Sequence, residues 1–220
     1  MQPETTLPAA ADPASDSRQR TLTIAIAAVL FVAFVVVPGV LMATTPHPHG
    51  TLYDDPVAAA DFTLPRADGS GTFTLSEARG DVVVLYFGYT SCPDVCPATL
   101  YDLRRAKEEL GEDGEDLRVV FVTIDPEVDT PEKIEEYLAY FDPTFTGLYG
   151  TEAQIEAVRD AYEVRVLRED EGETIPGYGI THTTSMFVID REGILKLRMH
   201  HDTDVEYLTR DLRYVLKGRL

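Results

Sequence analysis

Two cysteines, Cys92 and Cys96, are the only ones in the chain, and they stand in the run Ser91-Cys92-Pro93-Asp94-Val95-Cys96-Pro97. A thiolate attacks disulfides and binds soft metal ions, so the pair has two chemistries open to it. If Cys96 enters a helix, it meets unpaired backbone N–H groups and the positive end of the dipole, both of which favour thiolate. The flanking prolines stiffen the loop, and the spacing lets both sulfurs face one point. A merely structural disulfide would close so short a loop that it adds only ~2 kcal/mol, little for a domain with its own core. The familiar oxidoreductase spacing, Cys-x-x-Cys, is one residue shorter. A peroxidatic cysteine in the Pro-x-x-x-Thr-x-x-Cys pattern needs a threonine three residues before it. Tyr89 and Pro93 stand there instead.

Two thiolates make a soft site suited to Cu(I), and such sites usually take a third ligand, often imidazole. The histidines are His47, His49, His182, His200 and His201. His47 and His49 fall in a Pro-rich stretch that reads as mobile linker. His200 and His201 end a strand and read as surface residues. A lone histidine is by default a satisfied core residue, but His182 follows Gly177-Tyr178-Gly179 in a loop ahead of a core strand. Loops at one end of an α/β sheet gather around the site, so His182 is the candidate third ligand.

The elements that must position these residues follow from periodicity. Asp61 to Leu64 and Thr72 to Leu75 flank a Gly-rich turn and predict a hairpin. Val82 to Phe87 is a continuous β-branched and aromatic run, a strand buried on both faces. Leu100, Leu103 and Leu110 predict a helix after the cysteines. Leu117 to Asp125 is a second apolar strand. Thr130-Pro131 and the capping box Thr151 to Gln154 open two further helices. Ser185 to Ile189 and Ile194 to Arg198 are strands, and Val205 to Leu216 a final helix. Helices interleaved with buried strands predict an α/β domain. A cysteine pair just after the first core strand points to a thioredoxin-like fold by analogy.

Ahead of that domain, Leu22 to Met42 is free of charge. At ~1.5 Å per residue its 21 residues reach ~31 Å, one hydrocarbon thickness. Arg18 and Arg20 precede it, and no further basic residue occurs until Arg66, so the tail is expected in the cytoplasm and the domain on the outer, periplasmic or extracellular face. A cleavable signal peptide is the rival reading, but Leu41-Met42-Ala43 is a poor cleavage site. The organisation expected is therefore a tail over 1–21, a single transmembrane helix over 22–42, a linker over 43–60 and the thioredoxin-like domain over 61–220.

The chain of 220 residues carries 38 acidic and 19 basic residues, a net charge of −19. A protein that tracks nucleic-acid phosphates needs the opposite sign, so that class is excluded. Apolar residues at 44% are an ordinary globular share and argue against wholesale disorder.

Tyr86 to Pro97, with its Tyr-Phe-Gly-Tyr-Thr-Ser-Cys-Pro-Asp-Val-Cys-Pro order, resembles the signature of the SCO/SenC proteins, copper chaperones of cytochrome c oxidase assembly. Asp125-Pro126-Glu127-Val128-Asp129-Thr130-Pro131-Glu132 resembles their second hallmark, and His182 ahead of Met186 to Asp190 falls where their histidine ligand is expected. The resemblance implies that a copper ion is bound by Cys92, Cys96 and His182, that the two cysteines can also form a redox-active disulfide, and that the partner is the copper-centre domain of cytochrome c oxidase subunit II. The alternative role is that of a thiol-disulfide oxidoreductase, reducing the cysteines of that centre or of another exported protein. Thr181 stands where an aspartate often precedes the histidine, which puts the orientation of the imidazole at issue. Asp94 and Asp125 match the family pattern but read as residues that shape a turn and a loop.

Overall fold

The computed structural model describes residues 13–38, 47–168 and 180–220. They fall into two units, 1–46 and 47–220.

In the first unit, helix α1 spans Pro13–Phe31 and a wider π-type turn continues it over Val32–Val36. Large apolar side chains from Leu22 to Val37 are exposed. The helix starts well before the charge-free run and carries Asp16, Arg18 and Arg20 in its first half. The π turn interrupts the α-helical bonding after Phe31, and α-helix resumes at 37–38. Among the described residues no helix is long and apolar enough to cross a membrane. The transmembrane helix expected over 22–42 is thus not present as one α-helix, and residues 39–42 of it lie outside the described residues.

The second unit is built on a six-stranded mixed sheet. Its strands are β1 (Thr51–Ala58), β4 (Val82–Gly88), β5 (Leu117–Thr123), β6 (Thr146–Leu148), β9 (Ser185–Ile189) and β10 (Ile194–His200), in the order β1-β10-β9-β4-β5-β6. Strands β4, β5 and β6 are parallel, and β9, β10 and β1 extend the sheet antiparallel. The hairpin β2 (Thr63–Pro65) and β3 (Thr72–Thr74) stands apart, as does the ribbon β7 (Val166–Arg168) and β8 (Ile180–His182). Helices α2 (Val95–Leu110), α3 (Pro131–Ala139), α4 (Glu152–Ala161) and α5 (Val205–Leu216) complete the unit.

Every residue of β4 is buried, as its unbroken apolar run predicts for a strand with neighbours on both edges. The predicted caps form. Thr130 accepts the Lys133 N–H at α3, and at α4 the Thr151 hydroxyl accepts the Gln154 N–H while the Gln154 side chain accepts the Thr151 N–H. Gly147 on β6 leaves room for α3. A Cβ there would lie 2.4 Å from Ile134 Cγ2 and 2.9 Å from Leu138 Cδ1.

One expectation changes. Residues 51–58, expected as linker, form the edge strand β1, with a register break between Leu52 and Val57 around Pro56. Proline, which cannot donate to a ladder, is found on edge strands and at such breaks in pairing. The start of β1 is pinned by Asp211 of α5, whose fully buried carboxylate accepts the His49 N–H at 2.6 Å and the Gly50 N–H at 2.9 Å. The His49 ring stacks on Tyr207 with centroids 4.6 Å apart. His49 is therefore held against the domain, where the sequence suggested a mobile linker.

Candidate metal centre

Strand β4 delivers the chain to the site at Gly88. A Cβ at that position would stand 2.7 Å from a Phe121 ring carbon and 3.1 Å from Cys96 Sγ. Only glycine lets the buried Cys96 thiol lie this close over the strand end. The loop Tyr89 to Asp94 follows, and Cys96 is the second residue of α2. Pro97 fits in that first turn because its N–H would have no helical partner. Asp94 occupies the N-cap position without a side-chain cap bond, although its carbonyl accepts the Ala98 N–H at 3.2 Å.

The two cysteines are thiols, not joined by a disulfide, with Cys92 partly exposed and Cys96 buried. The Cys96 backbone N–H donates to Cys92 Sγ at 3.4 Å, as a free N–H of the first helical turn can. The Cys96 thiol donates to Cys92, and the Cys96 and Asp94 amides and the Tyr89 side chain add to it. Against the opposing effect of burial, these hold the Cys92 thiol down at about 5. The same bond and burial push the Cys96 thiol up. At neutral pH the pair is one thiolate and one thiol around a shared proton.

His182 is the last residue of β8. Burial lowers its pKa, so the ring is neutral at pH 7. Its Nδ1 lies 2.9 Å from the Thr183 carbonyl oxygen. A carbonyl only accepts, so Nδ1 carries the proton and Nε2 keeps a free lone pair. A backbone carbonyl thus orients the ring, with no aspartate at position 181. The ring meets Tyr89 edge-on at 6.1 Å, and Tyr89 in turn bonds to Cys92. His182 is within electrostatic reach of Cys92 and of His201.

The structure therefore brings Cys92 and Cys96 into direct contact and sets His182 one aromatic ring away. Among the described residues, Cys92, Cys96 and His182 do not form a set with all donor atoms within 4.8 Å of one another. A closed three-ligand site would need His182 to move inward with its short ribbon.

One residue that the sequence reading passed over organises the loop. Asp129 is buried and its carboxylate accepts the Thr90 hydroxyl at 2.5 Å, the Thr90 N–H at 3.1 Å and the Thr123 hydroxyl at 2.6 Å. It ties the segment just before Cys92 to the end of β5. The signal was its place in Asp125-Pro126-Glu127-Val128-Asp129. Asp125 is also buried, and its carbonyl accepts the Val128 and Asp129 amides, the loop-shaping role expected of it.

The SCO1/SenC family model matches residues 51–217. A SCO2-like protein of Rickettsia felis is 38% identical over 143 residues, 64% of this chain and 69% of that protein. Copper-bound ScoI of Bradyrhizobium japonicum superposes with a TM-score of 0.64 at 30% identity, over 72% of this chain and 99% of that one. Apo Sco1 of Thermus thermophilus gives a TM-score of 0.68 at 34% identity, over 77% of this chain and 98% of that one. The α/β architecture described above is the thioredoxin-like fold of these proteins.

Proposed function

The chain belongs to the SCO1/SenC family, and from that premise we propose that it is a copper chaperone that carries one copper ion on Cys92, Cys96 and His182. The observation that carries the reading is the thiolate–thiol pair at the start of α2, held in register by the Cys96 N–H. Copper replaces the shared proton between the sulfurs, since metal binding and thiol deprotonation are linked. His182 offers Nε2 as third ligand, and the β7–β8 ribbon brings it inward. Low coordination leaves room for an incoming thiolate or imidazole, so the ion passes by ligand exchange and is never released into solution. The acceptor is the copper-centre domain of cytochrome c oxidase subunit II. The exposed apolar run from Leu22 anchors the protein in the cell membrane, with the N-terminus cytoplasmic and the copper domain on the outer face. Confinement to the membrane raises the effective concentration of carrier and acceptor.

Copper titration of the reduced and the oxidised protein tests this. The reduced chain should bind one equivalent, and disulfide formation, Cys92→Ala or Cys96→Ala should abolish tight binding. Full copper occupancy in the double-alanine variant would remove the proposal.

The low Cys92 pKa and the buried Cys96 behind it also favour a second reading, a thiol-disulfide oxidoreductase that attacks through Cys92 and resolves through Cys96. The two separate at His182. His182→Ala should weaken copper binding and leave disulfide reduction intact.

A further inference from the structure

The end of β10 carries a second group of donors that shares no ligand with the cysteine pair. His200, His201 and Asp202 each offer one ligand atom, and the three atoms lie within 4.8 Å of one another. His200 Nδ1 is 2.6 Å from Asp202 Oδ1, and His201 Nδ1 is 2.9 Å from His200 Nδ1. The clustering has a local cause. β10 ends at His200, and a tight turn follows in which the Thr203 N–H at 3.2 Å and the Thr203 hydroxyl at 2.8 Å both donate to the His200 carbonyl. Thr203 is buried and anchors the backbone of the turn that carries the two rings and the carboxylate. That preorganisation lowers the ordering cost of binding.

His200 and Asp202 are exposed, so water completes their hydrogen bonding, and the contacts within the cluster are confined to three donor atoms. Nδ1 of His200 faces a carboxylate oxygen, which only accepts, so it must carry a proton. That one proton is then shared between Asp202 and the Nδ1 of His201, and it cannot serve both well. A cation in its place would be met by all three donors. Metal–nitrogen and metal–oxygen bonds of about 2.0–2.2 Å at right angles put neighbouring donors roughly 2.9 Å apart, close to the spacing found.

We propose that His200, His201 and Asp202 form a surface metal site for Cu(II). Two imidazoles and a carboxylate are borderline-to-hard ligands that suit a divalent ion in tetragonal geometry, and among first-row divalent ions Cu(II) binds such a set most tightly. Monovalent copper belongs with the thiolates instead. His201 is an electrostatic neighbour of His182.

The test uses the full chain in detergent with Cys92→Ser and Cys96→Ser, which removes the thiols. It is titrated with Cu(II) and followed by calorimetry and electron paramagnetic resonance. One equivalent should bind with a tetragonal spectrum showing imidazole nitrogen coupling. His200→Ala and His201→Ala should each weaken it at least about tenfold, while His182→Ala leaves it unchanged. His200 is exposed and His201 half-buried, and unchanged circular dichroism checks that these variants keep the fold. The assignment falls if the double-serine chain binds no Cu(II). It falls equally if His200→Ala and His201→Ala leave binding intact, or if binding is lost with His182→Ala or with His47→Ala and His49→Ala instead.

Discussion

At the scale of single residues, the chemistry rests on an inequality between two chemically identical side chains. Cys92 receives hydrogen bonds from a helix-start amide and a neighbouring thiol, while Cys96 is the donor and is buried against Gly88. The sign of the consequence follows. A thiol whose pKa is depressed on folding adds stability that is complete above its ordinary value near 9 and is lost as pH falls through about 5. Alkylation by iodoacetamide should therefore occur at Cys92 alone, with a rate that reaches half its maximum near pH 5 and is flat by pH 7. A rate still climbing through pH 8 would contradict the assignment. Both cysteines were legible in the sequence because they are close in the chain and of a rare type. The orientation of His182 was not, because its partner is the backbone carbonyl of Thr183, which every residue possesses and no side-chain pattern reveals.

At the scale of elements, the long and strongly patterned pieces were legible. β4, β5, β9, β10 and the four helices of the domain lie close to where periodicity and caps put them. The short ones were not. β6, β7 and β8 have three residues each, too few to show a period, and exist because a partner strand accepts their backbone. β1 was hidden by Pro56 and two aspartates, and it is held by tertiary contacts. Asp211 supplies the decisive ones. Hydrogen bonds to a charged group are worth about 1.5–3 kcal/mol each, so Asp211→Ala, which removes two, should cost roughly 3 kcal/mol. Urea unfolding should show a lower midpoint, and amide exchange should quicken along β1. An unchanged midpoint would mean that the pairing of β1 with β10 suffices without that anchor.

At the scale of the whole molecule, the governing quantity is the net charge of −19. Self-repulsion of this size strains the compact state and is screened by salt, since the Debye length shrinks from about 10 Å at 0.1 M to 3 Å at 1 M. Sodium chloride at about 0.5 M should add about 1 kcal/mol, seen as a rise of roughly 2–4 °C in Tm. A flat or falling Tm would show that local ion pairs such as Arg191 with Asp116 outweigh the global field. By itself the sequence determined the α/β class, the cysteine pair, the candidate histidine and the charge, because each is a matter of residue type, short spacing or simple count. Only the tertiary structure decided that Asp129 grips Thr90, that Tyr89 stands between His182 and Cys92, and that two surface histidines and an aspartate crowd into one turn. The first two link side chains far apart along the chain, and the third depends on the turn that ends β10, so each forms only when the sheet and its loops have closed.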